Sequence, residues 1–139
     1  MSIWKAIIPT LPLADSPQYS LNQHLDIKIV EIGADYVKAS MPVDERTRRS
    51  RGILHGGASV ALAETVGGYA AQLCLDADEY CVGLQINANH IRRVEGGLVY
   101  AVTTPVHIGR STQVWDIRIA DPQDRIVCMS RLTLTVMKR

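Results

Sequence analysis

The chain has no phenylalanine, and its only aromatic residues are two tryptophans and five tyrosines in 139 positions. Its core must therefore be built from valine, isoleucine, leucine and alanine, and the β-branched part of that supply favours strands. No apolar run approaches the roughly 18 residues of a membrane-spanning helix. The opening Met1-Ser2-Ile3-Trp4-Lys5 lacks the layout of a signal peptide. A cytoplasmic protein with no membrane partner is expected. A large charge imbalance is also missing. The net charge is +1, and no aromatic residues are interleaved with the arginines. Both features argue against a nucleic-acid partner. The three cysteines, Cys74, Cys81 and Cys128, are an odd number without metal-ligand spacing. Buried free thiols are expected. The four histidines show no metal-site spacing either, so no metal or other cofactor is expected. There is no internal repeat, and the length suits a single domain over residues 1–139.

One long helical pattern is present, from about Ala58 to Leu75. Leu62, Val66, Tyr69, Ala70 and Leu73 recur at three- and four-residue spacing, as the buried stripe of an amphipathic helix does. Glu64 stands two turns in, and its neighbours at three and four residues are Val60, Ala61, Gly67 and Gly68. The carboxylate is therefore expected on a small, apolar face. Two glycines inside a helix cost roughly 1 kcal/mol each relative to alanine, which implies close approach by a ligand or another chain. His55, Gly56 and Gly57 fall at the helix N-terminus, where free amide N–H groups and the positive dipole end converge. A carbonyl oxygen gaining negative charge would be stabilised there. A carboxylate and an oxyanion site on one helix suggest attack on an acyl group. The plainer readings of the same residues are a solvated or structural glutamate and a glycine turn.

The rest of the chain reads as strands. Pro9, Pro12 and Pro17 break the N-terminal segment, and Gln18 to His24 has room for one or two helical turns. Asp26–Ile32 alternates, with Ile27, Ile29 and Glu31 on one side and Lys28, Val30 and Ile32 on the other. Tyr36–Val43 is its hairpin partner. A polar loop, Asp44–Arg51, carries Arg46, Arg48, Arg49 and Arg51. Beyond the helix come Cys81–Asn89, Leu98–Ile108 with a bulge or edge at Pro105, Thr112–Ala120 and Arg125–Met137. Short turns between these runs imply antiparallel pairing. The expected fold class is α+β, a curled antiparallel sheet of about six strands wrapped around one long helix. Its open edges would be covered by a second copy, so at least a dimer is expected.

One series of motifs runs through nearly the whole chain. It comprises Ile3-Trp4-Lys5, Met41-Pro42-Val43-Asp44 with Arg46-Thr47, Gly52-Ile53-Leu54-His55-Gly56-Gly57-Ala58-Ser59 and Leu62-Ala63-Glu64. It continues with Val82-Gly83-Leu84, Ile86-Asn87-Ala88-Asn89-His90 with Arg92, His107-Ile108-Gly109, Gln113-Val114-Trp115 and Ser130-Arg131-Leu132-Thr133. In order and spacing this series resembles the hotdog-fold acyl-CoA thioesterases of the 4-hydroxybenzoyl-CoA and 1,4-dihydroxy-2-naphthoyl-CoA type. The resemblance implies hydrolysis of an aromatic or medium-chain acyl-CoA to acid and CoA. It implies no cofactor beyond the CoA of the substrate. It also implies a homo-oligomer, either a dimer or a homotetramer built as a dimer of dimers, with active sites at the subunit interface.

The resemblance assigns Glu64 as nucleophile or general base, and Gly56 as the residue whose N–H polarises the thioester carbonyl. His55 is the motif histidine that shapes the loop and contacts the substrate region. Gly57 and Gly68 join the substrate-binding set, and Gly83 lines the acyl or pantetheine channel. Asn89, His90, Arg92 and the Gly109-Arg110-Ser111 turn meet the pantetheine and nucleotide. Guanidinium–phosphate pairing is the chemistry expected of Arg92, Arg93 and Arg110. Two positions depart from the family pattern. Arg49 occupies the place of a glutamine that holds the thioester, where it would either replace that donor or pair with Glu64 and quench it. Gly68 stands where a serine or threonine often orients the water. These departures raise the alternative of a hotdog protein that binds an acyl thioester without turnover.

Overall fold

The alternation read along Thr112–Ala120 is what the chain adopts. Gln113, Trp115, Ile117 and Ile119 are buried, while Val114, Asp116 and Arg118 are partly exposed. The computed structural model describes residues 1–139. In chain order the elements are α1 (Leu21–His24), β1 (Lys28–Ile32), β2 (Val37–Pro42), α2 (Gly56–Leu73), β3 (Glu79–His90), β4 (Leu98–Ile108), β5 (Thr112–Ala120) and β6 (Ile126–Lys138). Every ladder is antiparallel, and the six strands stand in the order β1-β2-β4-β5-β6-β3.

The sheet curls because its ladders are interrupted. Register shifts fall at Ile29/Glu31 in β1, Gly83/Gln85 in β3, Pro105/His107 in β4 and, opposite Ile119/Ala120 of β5, at Val127 in β6. Each extra residue bends its strand and increases the local twist. Pro105 thus marks a bulge in a strand with neighbours on both sides, not an edge. The β1 bulge also corrects the simple alternation. Ile27, Ile29 and Ile32 all pack against the core, while Val30 and Glu31 are exposed.

The concave face holds α2, which buries Leu62, Ala63, Val66, Gly67, Ala70, Ala71 and Leu73. The helix begins two residues earlier than its apolar pattern does, because His55 caps it. It ends at Leu73, whose carbonyl accepts from the N–H groups of Lys5 and Ala6 at 2.8 and 3.0 Å. Trp4 stacks on the buried Trp115 with ring centroids 6.1 Å apart. Trp115 in turn donates to Gln113, and Gln113 donates to the Ala71 carbonyl of α2 at 3.4 Å. The core and the helix axis are locked to each other by these contacts. β3 remains a twelve-residue edge, with Val82 and Leu84 46% and 64% exposed.

Candidate active site

The site is built on the N-terminal half of α2 and the strand beside it. His55 is the N-cap, and its Nδ1 accepts the Gly57 N–H at 2.8 Å. An accepting Nδ1 leaves the ring proton on Nε2. That hydrogen bond ties the His55 side chain to the first turn of α2. Gly56 is the first helical residue, and a Cβ there would stand 2.9 Å from Nε2 of His90, at the end of β3. That close approach is why the position takes glycine. Gly56, Ser59 and His90 share a groove of about 350 Å³ with Arg49, Arg92 and Arg93. Ser59 is three residues on from Gly56, a spacing that puts both on one helical face.

Glu64 lies eight residues beyond Gly56. Its Oε1 comes within 3.1 Å of where a Cβ on Gly83 would be, so a larger residue at that place in β3 would press on the carboxylate. The bulge after Gly83 is what lets Gly83 and His90 both face α2. An uninterrupted strand would put an odd- and an even-numbered residue on opposite faces. Glu64, expected on a small, apolar face, is exposed in the single chain. Its carboxylate makes no ion pair and accepts no hydrogen bond. Arg49, also exposed, is not paired with it.

The two helical glycines separate in role. A Cβ on Gly67 would meet Leu132 Cδ2 at 2.9 Å, whereas a Cβ on Gly68 would meet nothing within 4 Å. Gly67 thus serves helix–sheet packing. Gly68 opens onto a cavity of about 550 Å³ between α2, α1, β1 and the 12–16 segment. Beside it the Thr65 hydroxyl donates to the Ala61 carbonyl at 2.7 Å and stands 3.0 Å from Asn22 Oδ1 of α1. Ser59 closes the Gly52–Ser59 motif but has no site role assigned from the sequence, and the Thr65–Asn22 contact is not expected from it. Spacing alone could have pointed to Ser59, but nothing in the sequence pairs Asn22 with Thr65.

Other expected site residues do not join this cluster within one chain. Asn89 precedes His90 in an unbroken part of β3 and so points to the opposite face. The Gly109-Arg110-Ser111 turn lies at the other end of the sheet. The Ser111 carbonyl accepts from Val136, which is the register partner of Cys81, whereas His90 pairs with Cys128. Those positions are nine residues apart along β3, about 30 Å. Within the arginine-rich loop, Arg46 is held by Asp44 at 2.6 Å, and only Arg49 lines the groove. Burial pushes the Cys74 thiol up to about 11, and Cys81 and Cys128 are raised for the same reason. All three are free, with Cys81 half-buried.

A curled antiparallel sheet wrapped around one long helix, whose first residues line an open groove and whose exposed carboxylate stands two turns further on, is the architecture of the hotdog thioester hydrolases. Residues 51–128 match the thioesterase superfamily, and the chain belongs to that family. It is 44% identical over 135 residues to the 1,4-dihydroxy-2-naphthoyl-CoA hydrolase of Escherichia coli, a match covering 97% of this chain and 99% of the relative. A solved thioesterase of Haemophilus influenzae superposes with a TM-score of 0.93 at 46% identity, over 98% of this chain and 95% of that one. Two solved alanine variants of a Staphylococcus aureus thioesterase superpose with TM-scores of 0.83 and 0.81 at 33% and 34% identity. They cover 86% of this chain and 100% and 98% of theirs. In them a glutamate and a glutamine fifteen positions before it are the residues replaced. No helix of the present chain is long and apolar enough to cross a membrane.

Proposed function

We propose that this thioester hydrolase cleaves an acyl-CoA with an aromatic or medium-chain acyl group to the free acid and CoA. Residues 1–139 act as one domain in the cytoplasm, with no cofactor beyond the substrate's own CoA. The observation that carries the reading is the free carboxylate of Glu64, set over Gly83 and beside the open cavity at Gly68. The position fifteen before Glu64 is Arg49, matching the separation of the two residues replaced in the S. aureus variants. The name of the E. coli relative supports an aromatic acyl-CoA as the substrate class.

A second copy of the chain completes the site. Gly56 and Glu64 are eight residues apart on one helix, a rise of about 12 Å. A glutamate side chain cannot span that distance to reach a carbonyl held at the Gly56 N–H. The reacting pair is therefore Gly56 of one chain and Glu64 of the other, and the open edge of β3 is the surface on which the copies meet. A dimer of dimers extends the same pairing. The Gly56 amide and the helix dipole draw negative charge onto the carbonyl oxygen. Glu64 then adds to the carbonyl carbon and expels CoA thiolate, or takes a proton from a water that adds instead. Single-turnover hydrolysis in oxygen-18 water separates the two, since only the first route puts label into the Glu64 carboxylate.

Thiol release over a panel of acyl-CoAs tests the reading. Glu64→Ala is expected to lower the rate about a hundredfold or more. A variant as fast as the parent would remove Glu64 from the mechanism. Binding of acyl-CoA without thiol release would favour the alternative of a non-hydrolysing acyl-thioester carrier, which the Arg49 and Gly68 departures motivate.

A further inference from the structure

The cavity between α2 and β1 is larger than a one-ring acyl group needs. It measures about 550 Å³, whereas roughly 150 Å³ is enough to hold a benzene ring. Ile27, Ile29 and Leu13 give it an apolar wall, and Thr65, Tyr69 and Gln72 line it from α2. Gly68 is the one position in that lining without a side chain. It stands four residues after Glu64, so the two share a helical face, about 6 Å apart along the axis. A Cβ on Gly68 would meet nothing within 4 Å, and the Glu64 carboxylate lies instead against Gly83 of β3. Packing therefore explains Gly67, whose Cβ would press on Leu132, but not Gly68. The outer wall, from Pro12 to Ser16, makes no backbone–backbone hydrogen bond, so it yields to a ligand at low cost. A thioester carbon attacked from Glu64 must come to about 3–3.5 Å from the carboxylate or its water. The acyl group then starts within a turn of Gly68, and the missing side chain leaves it a way into the cavity.

We infer that Gly68 determines specificity by admitting the acyl group into this cavity, so that acyl groups extending well beyond a single ring are the preferred substrates. Where the thioesterases it resembles often carry a serine or threonine that orients the water, this chain has open space leading to an acyl seat. This inference rests on the thioesterase reading.

The test compares thiol release from benzoyl-CoA and biphenyl-4-carbonyl-CoA. In the parent the larger substrate is expected to exceed the smaller about tenfold or more in kcat/KM. Two variants then narrow the cavity. Gly68→Leu blocks it beside Glu64 with a good helix former, and Gln72→Trp fills it one turn further along α2, at an exposed position. Each should bring the ratio of the two substrates down to about one. A position that acts only by orienting water would change both substrates alike. A parent without preference for the larger group, or a ratio that neither variant moves, overturns the inference. If no thioester is cleaved, the thioesterase reading itself has failed. Calorimetry with the S-benzyl and S-(biphenyl-4-ylmethyl) thioethers of CoA then decides the acyl seat. Tighter binding of the larger thioether, lost in Gly68→Leu, sustains it, and equal binding of the two removes it.

Discussion

At the scale of single residues, the start of α2 combines two roles that the sequence cannot separate. Gly56 is glycine because the His90 ring approaches it, while it also lines the groove with an N–H that has no acceptor within the chain. Proline is tolerated at the first helical position, and His55 already has the extended backbone that proline demands of the residue before it. Gly56→Pro and Gly56→Ala would therefore both press on His90, but only the proline removes the N–H. We expect Gly56→Pro to lower kcat about a hundredfold or more while Gly56→Ala falls far less; equal losses would mean that packing on His90 is the whole effect. His55 is read by stability. His55→Ala removes the acceptor for Gly57 and should cost about 1 kcal/mol, with His55→Asn restoring most of it. Thermal melts of the three proteins decide the point. The cysteines give a further check. Raised thiols are slow nucleophiles at neutral pH, so native protein should react sluggishly with a thiol reagent and release three equivalents once unfolded.

At the scale of elements, the glycine pair in α2 makes a contrast. Gly67→Ala drives a methyl into the buried Leu132 and should destabilise by about 1–3 kcal/mol. Gly68→Ala meets open space and should stabilise the helix by about 1 kcal/mol, while narrowing the cavity beside Glu64. Urea titrations that showed the same sign for both would refute the assignment. The β5–β6 turn carries a pH dependence. Burial raises the Asp121 carboxyl, but the N–H groups of Arg125 and Gln123 and the Arg125 guanidinium outweigh it and leave the group lowered. A lowered folded value means that Asp121 stabilises fully above the unfolded carboxyl value of 3.8 and loses that contribution as pH falls below it. The parent should therefore lose more stability in that window than Asp121→Asn does, by urea unfolding at stepped pH.

At the scale of the whole molecule, the proposed sharing of one site between two copies, argued from the eight residues that separate Gly56 from Glu64 along α2, is tested by mixing variants. Mixing Glu64→Ala chains with Gly56→Pro chains should restore about a quarter of parental activity, because half the dimers are mixed and each has one intact site. A mixture as inactive as its parts would place both groups in one chain. Much of this was legible in the sequence. Alternation located β4 and β5 to the residue, and three- and four-residue spacing located α2, because burial on one face imposes those periods directly. The His-Gly-Gly turn and Glu64 were legible because helix termini and small faces have local signatures. Tertiary structure alone decided the rest. The bulges that turn Gly83 and His90 to one face, the exposure of Glu64, the distance of Ser111 from His90 and the gathering of three unpaired arginines at one groove arise from register and curvature. Those are set by packing between segments far apart in the chain, and no local run of residues encodes them.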